Sequence, residues 1–241
     1  MKTQMKLTSL LLVGVAIFFT NCTSSSSKIP GALSLKATAS KVGAVKVTTT
    51  SNISLTSAIV QIQNLIIEEN SGNNSQSNVD SNVNDGGPET VKSAENDGGD
   101  ITLAGPYVLD VLSGKALIEN VSLQAGTYKQ VDFSFVPNKT NAHSIVISGN
   151  FNNNGTIIPF TINSDISSSV QLPLSGTGLT ITSGATSALS IVFDVNTWIK
   201  NLDFSAATVA NNTINISSSE NQTLYNAFII ALSTNIETEK E

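Results

Sequence analysis

The sequence contains few of the residues that most often carry catalysis and metal binding. It has one cysteine, one histidine and one tryptophan. Nucleophilic hydrolysis needs a nucleophile, a base and an orienting acid, and a zinc site needs several His or Cys ligands. The only histidine, His143, lies in phase with Ile145 and Ile147 at the start of a predicted strand. We therefore expect no enzyme, no zinc centre and no cofactor, and we interpret His143 as a structural or surface residue.

Arginine is absent, because all twelve basic residues are lysine, and the formal net charge is -6. The arginine guanidinium group is the usual bidentate donor in phosphate and nucleic-acid recognition, so this composition argues against a nucleic-acid partner. With its one cysteine at position 22, the chain forms no internal disulfide. Burial of an apolar core must therefore stabilise the folded part, and a chain of this length is long enough to bury one.

The N-terminal segment has the order of a secretory signal peptide. Lys2 and Lys6 precede an apolar run over 10–19, which is shorter than the roughly 20 residues that a membrane span needs. The run ends at Asn21-Cys22 and resembles a bacterial lipobox, in which the thiol is acylated and the chain is cut before it. Asn21 stands where Gly, Ala or Ser is usual, and the alternative is an ordinary secretory signal. We predict lipidation of Cys22.

The chain is then predicted to divide around one folded domain. Thr23, rather than Asp, follows the cysteine, which resembles signals for the outer membrane of the bacterial cell envelope. The predicted divisions are a signal peptide over 1–21, a lipidated flexible tether over 22–31, one β-sandwich domain over 32–235 with a disordered acidic insertion at 69–100, and a frayed tail over 236–241.

Alternation of apolar and polar residues predicts strands through most of the domain. Val131, Phe133 and Phe135 show the pattern of a half-buried strand, and Asn154-Gly155 predicts a type I′ hairpin turn. Pro159, in the second arm of that hairpin, predicts an edge strand. The predicted strands are 33–39, 44–50, 57–68 with a bulge near Asn64, 107–112, 116–123, 127–136, 144–151, 156–163, 170–174, 179–182, 187–195 and 213–216.

The C-terminal part changes to helical spacing. Leu224, Phe228 and Leu232 fall on one face, and Ser217 or Ser219 is a candidate N-cap. The fold class is therefore predicted as mainly β, an antiparallel β-sandwich of Greek-key or prealbumin-like type with one C-terminal helix.

The acidic insertion contains the weak binding candidates Asp80, Asn82, Asn84 and Asp85. These oxygen-bearing residues resemble the start of an EF-hand calcium loop. Its glycine comes one place late, however, and Val91 stands where the bidentate Glu belongs. We favour a solvated acidic loop without a defined metal site.

Three aspartates, Asp110, Asp132 and Asp194, are predicted to lie inside strands. Carboxylates from neighbouring strands could converge on a cation. Alternation instead predicts that Asp132 and Asp194 point outward from a half-buried sheet, and we favour that interpretation for all three.

The run Leu123-Gln124-Ala125-Gly126-Thr127-Tyr128 and the later strand Ile191-Val192-Phe193-Asp194-Val195 resemble motifs of an uncharacterised bacterial lipoprotein family. The resemblance covers roughly residues 35 to 205 without the insertion. It implies a β-sandwich and a lipid anchor, and it implies no activity and no catalytic residues.

We expect a non-enzymatic envelope lipoprotein, attached to the membrane by its lipid and binding a protein or glycan through its loops. Two alternatives stay open at this point. One is a periplasm-facing structural or accessory lipoprotein, and the other is a weak Ca²⁺-binding protein.

Overall fold

The computed structural model describes residues 30–39, 52–70, 100–114 and 116–240. The signal peptide, Cys22, most of the tether, the predicted strand 44–50 and nearly all of the acidic insertion lie outside the described residues. The described strands are β1 Gly31–Thr38, β2 Ile53–Glu69, β3 Ile101–Leu103, β4 Tyr107–Asp110, β5 Ala116–Leu123, β6 Gly126–Phe135, β7 Ile145–Asn153, β8 Thr156–Ser164, β9 Ser169–Pro173, β10 Leu179–Ile181, β11 Thr186–Phe193, β12 Ile214–Ile216 and β13 Ile236–Lys240. The helices are α1 Val195–Lys200 and α2 Gln222–Leu232, with a 3-10 turn at Phe204–Ala206.

Within the described residues, the strands form two sheets. The smaller has four strands in the order β13-β11-β1-β5, and the larger has nine, with the path β10-β6-β2-β7-β8-β12 and β3, β4 and β9 beside it. The pairs β1–β11 and β8–β12 are parallel, and the other described pairs are antiparallel. The prediction of a mainly β, mostly antiparallel fold is confirmed.

Strand β2 is the longest element, with 17 residues, and the larger sheet is built around it. Its first half pairs with β7 and its second half with β6, while β3 and β4 line its other edge. The neighbour changes at Gln61, whose N–H donates to Ser144 O at 2.7 Å and whose carbonyl accepts from Val136 N–H at 3.2 Å. Asn64 then adopts a φ of 53°, and the register with β6 shifts between Gln63 and Ile66. The predicted bulge is confirmed.

Aromatic rings join the layers of the sandwich. Phe133 and Phe135 of the larger sheet lie with their ring centroids 5.9 and 6.5 Å from that of Phe193 in the smaller sheet. Trp198 of α1 contacts Phe193 at 6.2 Å and Phe228 of α2 at 6.0 Å. The smaller sheet and the two helices therefore cover the apolar face of the larger sheet, and the predicted sandwich with a helix near the C-terminus is confirmed.

The β7–β8 hairpin forms as predicted, with Asn153 opposite Thr156 and positive φ angles at Asn154 and Gly155. The prediction that β8 is an edge strand is wrong. Strand β12 pairs with its other side over Phe160–Ile162. Pro159 is tolerated because it lies one residue before that stretch, where no second ladder needs its missing N–H.

The predicted serine cap of the C-terminal helix is also wrong. The N-cap of α2 is Asn221, with a φ of 48° and no side-chain cap hydrogen bond. Its amide instead accepts from Thr208 N–H at 2.7 Å and donates to Asn215 O at 2.7 Å. Ser217 Oγ accepts from Glu220 N–H at 3.1 Å and closes the preceding turn. Hydrogen bonds from the Asn221 side chain to the more distant residues Thr208 and Asn215 thus take the place of a local serine cap.

The tail predicted to fray is a strand. β13 pairs antiparallel with β11, with Ile236 opposite Phe193 and Lys240 opposite Leu189. Lys240 Nζ also donates to the carbonyl oxygens of Ser175, at 2.8 Å, and Gly178, at 2.5 Å. Its polar side chains suit an exposed edge strand, and backbone pairing rather than side-chain burial orders it.

Candidate functional site

The sandwich has two ends, the Pro30 end and the far end. At the Pro30 end, Gly184 N–H donates to Pro30 O at 3.1 Å, and the end of β2 lies beside the start of β6. At the far end lie the start of β2 at Ile53 and the β7–β8 turn at Asn154-Gly155. Because a strand rises about 3.3 Å per residue, β2 carries the chain roughly 50 Å between the two ends.

A cleft of about 230 Å³ opens at the far end. Its floor is apolar: the ring centroids of Phe151 and Phe204 are 5.6 Å apart, and those of Phe204 and Phe160 are 4.7 Å apart. The 3-10 turn places Phe204 there, 3% exposed, against the inner face of the hairpin. Among the described residues, the cleft is lined by Asn52, Ile53, Phe151, Lys200, Leu202, Asp203, Phe204 and Ser205.

The rim of the far-end cleft carries one cation and one anion. Asp203 caps the 3-10 turn, because its Oδ1 accepts from Ser205 N–H at 3.1 Å and from Ser205 Oγ at 2.5 Å. These hydrogen bonds hold the pKa of Asp203 below its ordinary value, and the bond from the Ser205 hydroxyl has the largest effect. The carboxylate is therefore ionised at neutral pH. Lys200 Nζ donates to Thr197 Oγ1 at 3.4 Å. The rim can therefore donate and accept hydrogen bonds above an apolar floor.

A second cleft, of about 260 Å³, lies between the edges of the two sheets. Ala37 of β1 and Leu117 of β5 form one wall, and Tyr107 to Asp110 of β4 with Ser113 form the other. Val108 is 58% exposed here. Both clefts are smaller than the roughly 300–1,000 Å³ of pockets that enclose a whole ligand, so each suits a protruding group. The far-end cleft combines the apolar floor with opposite charges and is the better candidate.

Asp132 and Glu68 form a pair of acids on the outer face of β6 and β2. Burial, followed by the Glu68 charge, raises the pKa of Asp132 above its ordinary value. Asp132 Oδ2 accepts from Gln130 Nε2 at 3.1 Å, while its Oδ1 is buried without a hydrogen-bond partner. Glu68 forms an ion pair with Lys129 at 3.4 Å. Asp132 does lie within a strand, as predicted.

The three predicted aspartates lie on separate elements. Asp110 ends β4 and is exposed, and Asp132 lies within β6. The prediction that Asp194 lies inside a strand is wrong, because it is the N-cap of α1: its Oδ1 accepts from Thr197 N–H at 3.1 Å and its Oδ2 from Thr197 Oγ1 at 2.6 Å. In the part of the chain that the structure describes, no three or more His, Cys, Asp or Glu residues cluster as a metal site.

Of the remaining predicted candidates, only His143 lies within the described residues. Asp80, Asn82, Asn84 and Asp85 lie outside the described residues, as does Cys22. His143 lies in the turn before β7, where its N–H donates to Asn141 Oδ1 at 3.1 Å and its carbonyl accepts from Asn138 N–H at 2.9 Å. Its Nδ1 is buried without a partner.

The Leu-x-Ala-Gly-x-Tyr run has a structural role at the Pro30 end. Leu123 and Tyr128 are both 0% exposed. Tyr128 O–H donates to Gln124 O at 3.0 Å, and burial, with the charges of Glu69 and Asp100, raises its pKa to about 12. Gly126 lies beside the side chain of Glu69, because a Cβ built there would be 2.5 Å from Glu69 Oε1.

Lys200, Asp203 and Phe204 were not identified from the sequence as site residues. The one local signal is Asp203 two residues before Ser205, which is typical of a capped turn. The signal predicts the turn and not the cleft, since the other wall comes from the distant residues Ile53 and Phe151.

Comparisons with protein-family models, with curated proteins and with solved structures gave no match for this chain. Of the helices in the described residues, none has the length and hydropathy needed to cross a membrane.

Proposed function

We propose that the protein is a lipid-anchored, non-enzymatic binding module of the bacterial cell envelope, held at Cys22 in the outer membrane. The observation that carries the proposal is the signal-like segment that ends at Cys22, eight positions before the described domain begins at Pro30. The resemblance of the Leu123–Tyr128 run to an uncharacterised lipoprotein family supports it.

The position of the far-end cleft supports a binding role. Pro30 leads to the anchor, and the cleft lies at the opposite end of β2. A tether of eight residues reaches at most about 28 Å, so a domain held by it would present the far end away from the bilayer. We propose that the rim, with Lys200 and Asp203, binds a hydroxyl-rich group such as a sugar ring, whose hydroxyl groups would accept from Lys200 Nζ and donate to the Asp203 carboxylate. A surface loop of a protein is the alternative occupant.

Replacement of Cys22 by alanine is expected to release the protein from the membrane fraction and to abolish labelling by radioactive palmitate. Each buried CH₂ contributes about 0.8 kcal/mol to membrane binding, so the loss of the acyl chains removes the attachment. The matched control is Thr23→Ala, which leaves the thiol in place. Unchanged membrane partition of Cys22→Ala, together with no palmitate on the parent, would refute the lipid anchor.

Replacement of Lys200 by methionine is expected to lower binding to responsive saccharides on a glycan array at least tenfold, because it removes the ammonium donor and keeps the apolar stem. Lys139→Met, an exposed lysine in the loop before β7, is the control and should bind as the parent does. Equal loss in both variants, or no loss in Lys200→Met, would refute saccharide binding at the far-end cleft, and no saccharide bound by the parent would favour the protein ligand.

A further inference from the structure

The turn between β7 and β8 contains the only Asn-Gly pair of the sequence, Asn154-Gly155. Both residues are exposed, and their φ angles are 52° and 95°. A Cβ at Gly155 would meet no described atom within 4 Å, so the peptide bond between the two residues is open to solvent. An asparagine before an exposed glycine is chemically reactive, because glycine has no side chain to hinder its backbone nitrogen.

The reaction open to this pair is deamidation. Base removes the proton of the Gly155 backbone nitrogen, which attacks Cγ of Asn154 and forms a five-membered succinimide ring. The bond from Cγ to Nδ2 breaks, and the amide nitrogen takes up a proton and leaves as ammonia. Water then opens the ring at either carbonyl and gives aspartate or isoaspartate. The sum consumes one water and releases one ammonia, so the reaction needs no oxidant and no cofactor.

Two hydrogen bonds engage the reacting groups in the folded turn. Gly155 N–H donates to Asn152 Oδ1 at 2.7 Å, so the proton that must leave is bound to an acceptor that is not a base. Asn154 Nδ2 donates to Asn153 Oδ1 at 3.3 Å, which directs the leaving amide toward the preceding residue. The bond to Asn152 is the shorter of the two, and the nitrogen cannot attack while its proton is held there.

Asn152 is itself fixed by the strands on both sides. Its N–H donates to Asn52 O at 2.7 Å, and it lies opposite Ile157 in the ladder of β7 and β8. Its side chain is half-buried, whereas those of Asn153 and Asn154 are exposed. The acceptor for the glycine N–H therefore belongs to the paired part of the hairpin rather than to the turn.

We propose that Asn154 is a modification site, converted by deamidation to aspartate or isoaspartate, and that Asn152 is the positioning residue that sets its rate. The reaction is slow while the hairpin is paired and fast once the turn opens. The product carries a new carboxylate at the far end of the sandwich. Isoaspartate also adds one methylene to the main chain, so a two-residue turn no longer keeps Asn153 opposite Thr156. The inference depends neither on the lipid anchor nor on a ligand.

The test incubates the purified protein, folded and in urea, at neutral and at mildly alkaline pH. Mild acid stops the reaction, and cleavage after lysine gives a peptide over 140–200 that contains the turn. Mass spectrometry measures the gain of one mass unit, and fragment ions assign it to Asn154. We expect the folded protein to react more slowly than the unfolded one. The rate should rise with pH in both states, because hydroxide removes the Gly155 proton.

Three variants determine whether Asn152 is responsible. Asn152→Ala removes the acceptor and should raise the rate of the folded protein about two- to tenfold, which is the factor that one hydrogen bond contributes. Asn152→Asp keeps an acceptor oxygen and should react no faster than the parent. Asn150→Ala, two residues earlier on the same face of β7, is the control and should match the parent. In urea all four chains should react at one rate.

Three results would overturn the proposal. The first is a parent that gains no mass at Asn154, and the second is a parent that reacts equally fast folded and in urea. The third is a rate for Asn152→Ala that is no higher than that of Asn150→Ala. A rate raised as much in Asn152→Asp as in Asn152→Ala would refute the role of the acceptor oxygen, because the aspartate retains it.

Discussion

Replacement of Phe193 by alanine is expected to lower the free energy of unfolding by about 3–5 kcal/mol. Phe193 is 0% exposed and lies at the end of β11, where three layers meet. Its ring contacts Phe133 and Phe135 of the larger sheet and Trp198 of α1. The alanine leaves a cavity that neither sheet can close without moving the other, so the cost belongs to the upper part of the range for large-to-small substitutions.

The measurement is thermal or urea unfolding followed by circular dichroism. For a domain of this size each kcal/mol lowers the melting temperature by about 2–4 °C, so a fall of roughly 6 to 20 °C is expected. Ile230→Ala, on the exposed face of α2 and 69% exposed, is the control and should change the stability by less than about 0.5 kcal/mol. A loss for Phe193→Ala no larger than that of the control would show that the two sheets do not share one core.

Features set by neighbouring residues could be predicted from the sequence. The turn at Asn154-Gly155 needs two positive φ angles, and Asn and Gly adopt them readily, so the hairpin and its register follow. The slip of alternation near Asn64 likewise predicted the bulge, since an extra residue moves every later side chain to the opposite face. These predictions need no knowledge of the rest of the fold.

Features set by distant residues could not be predicted. Strand β1 pairs in parallel with β11, with Leu35 opposite Leu189. Neither segment carries a sequence pattern that identifies the other as its pairing partner. Asp194 continues the alternating pattern of β11, yet it caps α1 because the chain must turn where Trp198 packs on Phe228. The far-end cleft has the same origin, because its floor joins Phe151 to Phe204 across 53 positions of sequence.

Deletion of residues 236–241 is expected to destabilise the domain by about 2–4 kcal/mol, because several backbone hydrogen bonds to β11 are lost and each contributes about 0.5–1.5 kcal/mol net. The cut after Asn235 is chosen so that the Asn235 oxygen that accepts from Trp198 Nε1, at 3.2 Å, and from Asp194 N–H, also at 3.2 Å, stays in the chain as part of the terminal carboxylate. The contribution of β13 is thereby separated from that of the helical layer. The readout is the urea midpoint of the truncated chain against that of the parent.

The truncated chain is also expected to associate at high concentration, because it exposes the edge of β11. That edge carries Leu189, Ile191 and Phe193, and an unpaired apolar strand is a template for pairing with a second copy. Light scattering across a concentration series measures the association. Glu237→Pro is the matched variant: it removes one N–H that faces β11, opposite Val192, but leaves the tail to cover the edge, so it should lower stability without promoting association. A truncated chain that unfolds at the same urea concentration as the parent and stays monomeric would show that the tail frays in solution, as its composition alone predicts.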